Sequence, residues 1–113
     1  MSYWKYIDQV EGYSPPGHSG TVNRRIIGRE DGIQRVEMIF GEMDVGGEAE
    51  EHFHDDLEQL MFILEGKMYV EIEGEKAELT KGCAISIPPK VTHFVKNSGK
   101  SKLRFILIYS PPK

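Results

Sequence analysis

From Thr21 to the C-terminus, short runs rich in valine, isoleucine, phenylalanine and tyrosine alternate with turn residues at near-even spacing. The runs are Thr21 to Ile27, Ile33 to Phe40, Leu60 to Leu64, Lys67 to Glu73, Ala84 to Ile87, His93 to Val95 and Leu103 to Tyr109. Between them stand Gly28, Asp31-Gly32, Gly46-Gly47, Glu65-Gly66, Glu73-Gly74, Lys81-Gly82, Pro88-Pro89 and Ser98-Gly99. Many short strands separated by turn chemistry predict an all-β sandwich or barrel, with no helix of any length.

Two runs say how the strands are covered. In Lys67 to Glu73, Met68, Val70 and Ile72 share one face and Lys67, Tyr69, Glu71 and Glu73 the other, so one side is buried and one is wet. In Gln59 to Leu64, Met61 and Ile63 share one face while Leu60, Phe62 and Leu64 share the opposite one, so both sides need cover. A barrel interior takes one; a second sheet or a partner subunit takes the other, and a homodimer is the expectation.

With 113 residues the chain has the size of one domain and can bury a core without cross-links. Residues 1–20 contain Gly12, Pro15, Pro16, Gly17 and Gly20 and read as an irregular arm, with the barrel spanning 21–113. Tyr3, Trp4, Tyr6, Ile7, Val10 and Tyr13 make that arm too apolar to stay in water, so it is expected to pack on its own barrel or on a neighbour.

The single Cys83 excludes an internal disulfide and a thiolate zinc finger, and its chance of acting as a nucleophile is small because no adjacent base is indicated. A lone thiol and the lack of an apolar stretch approaching roughly 20 residues favour a cytoplasmic protein with no membrane partner. Net charge is −4 and the basic residues are scattered apart from Arg24-Arg25, so nucleic acid is not an expected ligand.

The chemistry-bearing residues are histidines. His52 and His54 fall two apart at a strand end, where alternate side chains point to the same side, and Glu58 and Gln59 follow just before the next strand. His93 opens a later β-rich run. Two imidazoles at that spacing can meet on one ion, and a turn could return an oxygen ligand from either Glu58 or Gln59. His18 and the Arg24-Arg25 pair could close one mouth of a barrel, or could simply be a surface histidine and a salt-bridged arginine pair.

The spacing around these histidines resembles the two motifs of the cupin family. The first motif is Gly, five residues, His-x-His, three or four residues, Glu, six residues, Gly; Gly46, His52, His54, Gln59 and Gly66 fit it with the four-residue gap. The second is Gly, five residues, Pro-x-Gly, two residues, His, three residues, Asn; Gly82, Pro88, His93 and Asn97 are in register. Two positions depart, with Gln59 where Glu is usual and Lys90 where Gly is usual.

The resemblance implies a double-stranded β-helix, or jelly-roll barrel, with one divalent transition metal ion inside it. Carried over, the ligands are His52, His54, Gln59 and His93, with Glu58 as the alternative to Gln59. Strand parity bears on that choice: Gln59 shares a face with Met61 and Ile63, so if that face is the interior, Glu58 points away. Imidazole and amide donors suit Zn, Fe, Mn, Ni or Cu alike.

Met61, Ile63, Met68, Val70, Phe105 and Leu107 are expected to line the pocket, and its apolar character suits a small aromatic or anionic ligand. The function implied is that of a mononuclear metal enzyme of dioxygenase or isomerase type, or else a non-catalytic module that holds a small ligand. No catalytic group beyond the ligands is assigned.

Overall fold

The computed structural model describes residues 3–113, so Met1 and Ser2 of the arm lie outside the described residues. Among the described residues, eight strands make up the greater part: β1 His18–Ile27, β2 Glu37–His52, β3 Glu58–Glu65, β4 Lys67–Ile72, β5 Glu75–Thr80, β6 Ala84–Ile87, β7 His93–Asn97 and β8 Leu103–Ser110. They pair in the order β5-β4-β7-β2-β8-β3-β6, with β1 added along β2. Every pairing is antiparallel. Among the described residues the helical segments are 3-10 turns at Ile7–Gln9 and Arg29–Asp31, and no helix is long and apolar enough to cross a membrane. The all-β jelly-roll barrel expected from the sequence is the observed fold.

β2 is the strand at the centre of the sheet, pairing with β1, β7 and β8. Its first half pairs with β8, Glu37 to Met43 against Tyr109 to Leu103, and its second half pairs with β7, ending with His52 opposite His93. Gly46-Gly47, expected as a turn between strands, instead lies within this 16-residue strand. Gly46 takes φ +81, and at Gly47 a Cβ would stand 2.7 Å from the Met43 side chain and 2.8 Å from the Ser19 carbonyl. The glycines therefore bend the strand between its half paired with β8 and its half paired with β7 rather than ending it.

The same effect moves the start of β1. Gly20, read as part of the irregular arm, sits at φ +63 in a register shift between Ser19 and Thr21, so the sheet begins at His18 rather than Thr21. β5 was not expected at all. Its sequence Glu75–Thr80 is largely polar because it is an edge strand, with only Ala77 and Leu79 turned toward the core.

The core is made by the inward alternates: Ile39 and Met43 from β2, Met61 and Ile63 from β3, Met68 and Val70 from β4, Ile85 and Ile87 from β6, and Leu103, Phe105, Leu107 and Tyr109 from β8. Burial of one such aliphatic or aromatic side chain contributes about 1.5–3 kcal/mol. On the outer face of β3, Leu60, Phe62 and Leu64 remain 41–49% exposed. Beside them Ala84, Ser86, Ile106 and Ile108 complete an apolar groove across β6, β3 and β8.

The arm is tied to the barrel at several points. Tyr13 bridges to Asn23, the Arg24 guanidinium donates to the Val10 carbonyl, and Lys5 pairs with Asp31 at 2.7 Å. Tyr3, Trp4 and Tyr6 stay exposed on this single chain.

Candidate metal centre

The two halves of the candidate site meet because β2 ends where β7 begins. His52 is the last residue of β2 and pairs directly with His93, and the two rings lie 4.2 Å apart, centroid to centroid. His54 follows in the loop, with its ring 5.0 Å from His52 and 5.5 Å from His93. The ligating atoms of the three imidazoles all lie within 4.8 Å of one another, a grouping that could hold a metal ion. Gln59 enters from the start of β3, is 4% exposed, and lines the same chamber as His52 and His93. Glu58, its neighbour, is exposed on the opposite face of the strand, so the alternative fourth ligand is turned away from the chamber.

Backbone geometry holds this arrangement. Lys90 occupies the position where the second motif has glycine and adopts φ +68, the left-handed conformation that explains why glycine is usual there. From that conformation its N–H donates to the His54 carbonyl at 2.6 Å and anchors the histidine loop. Motif glycines Gly66 and Gly82 are also left-handed, at φ +94 and +88. The motif asparagine is structural: Asn97 is buried, its Nδ2 donates to the Met43 and Ser101 carbonyls, and its Oδ1 accepts from Gly99 N–H.

The protonation states suit ligation. His52 Nδ1 lies 2.6 Å from the Glu50 carbonyl and His93 Nδ1 lies 2.9 Å from the Val91 carbonyl. A carbonyl can only accept, so each Nδ1 carries the proton and Nε2 keeps its lone pair. Burial is the main cause that pushes His54 down to about 4, helped by the positive charge of Lys113 and by the other two imidazoles. Burial also lowers His93, against the opposing effect of its carbonyl bond. Both rings are therefore neutral near pH 7.

What these groups lack is a partner. His54 Nε2, His93 Nε2 and Gln59 Oε1 are all buried without a hydrogen bond. An unsatisfied buried polar atom costs ~1–3 kcal/mol, and three together would consume a large part of a stability of ~5–15 kcal/mol. Convergent lone pairs with no donor between them fit a cation.

The chamber itself is narrow, with room for on the order of one or two waters beside the ligands. Met61, Phe105 and Leu107 line it, whereas Ile63, Met68 and Val70 are buried in the core and are not part of its lining. Met43, Ala49, Val95, Asn23 and Tyr109 were missed. Tyr109 was legible, since it continues the Phe105, Leu107 alternation by one more step. Burial raises its hydroxyl pKa, so the phenol stays protonated.

Above the chamber an open bowl of about 380 Å³ is lined by His18, His52, His54, Phe53, Glu50 and Lys113, among others. His18 thus lies at the mouth of the site. The arginines do not: Arg25 pairs with the buried Glu37 at 2.9 Å and lies over the Tyr13 ring, and Arg24 serves the arm. Cys83 is half-buried at the core edge.

Residues 39–109 match the family model for the cupin domain. The chain belongs to the cupin family. Over 68 residues, 60% of this cupin, it is 37% identical to an uncharacterized protein of Methanocaldococcus jannaschii, the match covering 54% of that protein. Over 69 residues, 61% of the chain, it is 29% identical to the polyketide synthase CurC of Streptomyces cyaneus, covering 45% of it. The chain thus spans about half the length of these curated relatives. Among solved structures it is similar to the polyketide cyclase RemF from Streptomyces resistomycificus, with TM-score 0.88 and 26% identity over 99% of this chain and 81% of that one.

Proposed function

We propose that this cupin is a mononuclear metal enzyme that polarises a carbonyl of a small oxygen-rich substrate, anionic or aromatic, and promotes enolisation-driven isomerisation or ring closure. One observation carries the reading: three imidazoles gather within 4.8 Å of one another, and His54 Nε2, His93 Nε2 and the neighbouring Gln59 amide oxygen are buried without a hydrogen-bond partner. A divalent transition metal held by His52, His54, His93 and Gln59 supplies a Lewis acid there. Because Gln59 brings no charge where a carboxylate would bring −1, the donor set leaves the ion's charge uncompensated and favours an anionic oxygen.

The chain's own residues divide the remaining work. The narrow chamber limits water around the donors to about one or two molecules, and Met61, Phe105 and Leu107 keep its lining largely apolar. The bowl offers the space for a substrate body, with the Lys113 ammonium on its rim as a partner for negative charge. The polyketide descriptions of two relatives support a poly-carbonyl or phenolic substrate over a sugar.

The test is deuterium exchange at carbon α to a carbonyl, followed by NMR on β-diketones and phenolic keto acids, with oxygen uptake recorded in parallel. Exchange that needs the metal, without oxygen consumption, is expected. Gln59→Glu should slow it by roughly tenfold or more, equivalent to ~1.4 kcal/mol of lost transition-state stabilisation. Stoichiometric oxygen uptake would instead assign a dioxygenase, and tight binding without exchange or uptake a non-catalytic module.

We further propose that a second copy covers the outer face of β3. A two-fold contact hides both copies' Leu60, Phe62 and Leu64 at once, whereas a head-to-tail contact leaves one such face open. Sedimentation should give the mass of two chains for the wild type and of one for Phe62→Glu. A wild-type mass of one chain at high micromolar concentration would end this proposal.

A further inference from the structure

His18 lies outside both cupin motifs, at the first position of β1, yet it is wired like two of the motif histidines. Its Nδ1 is 2.9 Å from the carbonyl oxygen of Pro16, two residues back. His52 and His93 make the same contact with the carbonyls two residues before them, Glu50 at 2.6 Å and Val91 at 2.9 Å. In all three the carbonyl fixes the proton on Nδ1 and leaves Nε2 as a bare lone pair, the tautomer that a metal-ligating imidazole needs.

Its position agrees with its wiring. The ring lines the inner chamber together with His52, Gln59 and His93, and lines the bowl together with His52 and His54. Its centroid is 6.4 Å from that of His52, compared with 4.2 to 5.5 Å within the trio. The bend that places it is fixed by Gly17, at φ +72, whose carbonyl accepts the Glu50 N–H at 2.9 Å. His18 in turn pairs with Ala49 on β2, so His18 and His52 ride on the same stretch of sheet.

We infer that His18 is a further ligand of the same metal ion, giving four imidazoles through Nε2 together with the Gln59 amide. The inference rests on the metal-centre reading above. His18 stands just outside the tight grouping of the other three, so closing the set requires an adjustment of its half-buried side chain, a motion such side chains make readily. The larger donor set is still neutral. With five donors supplied by the chain, few positions would remain for a substrate, which the bowl would orient.

The experiment loads the metal-free full-length chain with Co(II) and records proton NMR of the hyperfine-shifted exchangeable imidazole N–H signals. Each coordinated ring whose Nδ1–H is sheltered by a carbonyl gives one such signal. Wild type should show signals for His18, His52 and His93. His18→Ala and His18→Gln should each lose one signal, retain the others, and bind Co(II) ~10-fold or more weakly. An unchanged number of shifted signals in either variant, whatever its affinity, overturns the inference while leaving the metal centre standing. Failure of the wild type itself to take up Co(II) overturns both. Retained β-sheet circular dichroism identifies the variants as folded.

Discussion

Replacing His93 by alanine is expected to lower metal affinity by more than ~100-fold, because loss of an outer partner alone already costs ~10–100-fold and His93 is a direct donor. The residue is 1% exposed and faces His52 across the β2–β7 pairing. The effect can be read from stability. A metal present at 100 times its Kd stabilises the folded wild type by ~2.7 kcal/mol, and for a variant binding 100-fold more weakly the gain falls to ~0.4 kcal/mol. Denaturant unfolding of both proteins with and without Zn(II) measures the difference. An equal metal-dependent gain in the two proteins would place the ion elsewhere.

Acidification is expected to have the second large effect. Burial holds His54 at about 4 in the folded chain, below its ordinary 6.5, so between those values the unfolded chain binds the extra proton. Stability therefore rises with pH through that window and is lost as pH falls from 6.5 toward 4. His93, also lowered by burial, acts in the same direction. The metal-loaded protein should follow the same sign, since a protonated imidazole cannot ligate. Because burial already lowers His54 and His93, affinity should hold to lower pH than free imidazole would allow and then fall steeply. Isothermal titration at pH 7.5, 6 and 4.5 checks this; affinity that is flat down to pH 4.5 would speak against histidine ligands.

Much of the architecture was legible because inward and outward residues alternate cleanly. Met68 and Val70 against Tyr69 and Glu71, and Met61 and Ile63 against Leu60 and Phe62, fix both the register of β3 and β4 and the side that Gln59 faces. The same parity that turned Gln59 inward turned Glu58 outward. Glycine was the main source of error. Gly20 and Gly46-Gly47 were read as chain breakers, yet they sit within β1 and β2 as bends and bulges, where a left-handed φ or a close backbone approach allows no side chain. A sequence pattern shows that glycine is needed but not whether the chain turns back or only kinks.

β5 escaped notice for another reason: an edge strand with one shallow face carries little apolar alternation. Within the site, the histidines were found by spacing, while His18 was left between a surface and a mouth position because nothing local marks which way the first residue of a strand points. Ile63 and Met68 show the limit of inward parity. It places a side chain inside the barrel but not at which height, and these two are buried in the core outside the chamber's lining.

One transition metal ion is expected at the point where His52, His54 and His93 meet. Metal analysis by mass spectrometry, on protein purified without added metal and again after dialysis against Zn, Fe, Mn, Ni and Cu, tests it directly. About one equivalent of a single ion per chain is expected in the wild type, and its loss in His93→Ala. Less than about a tenth of an equivalent in the wild type under every condition, or the same content in both proteins, would contradict it.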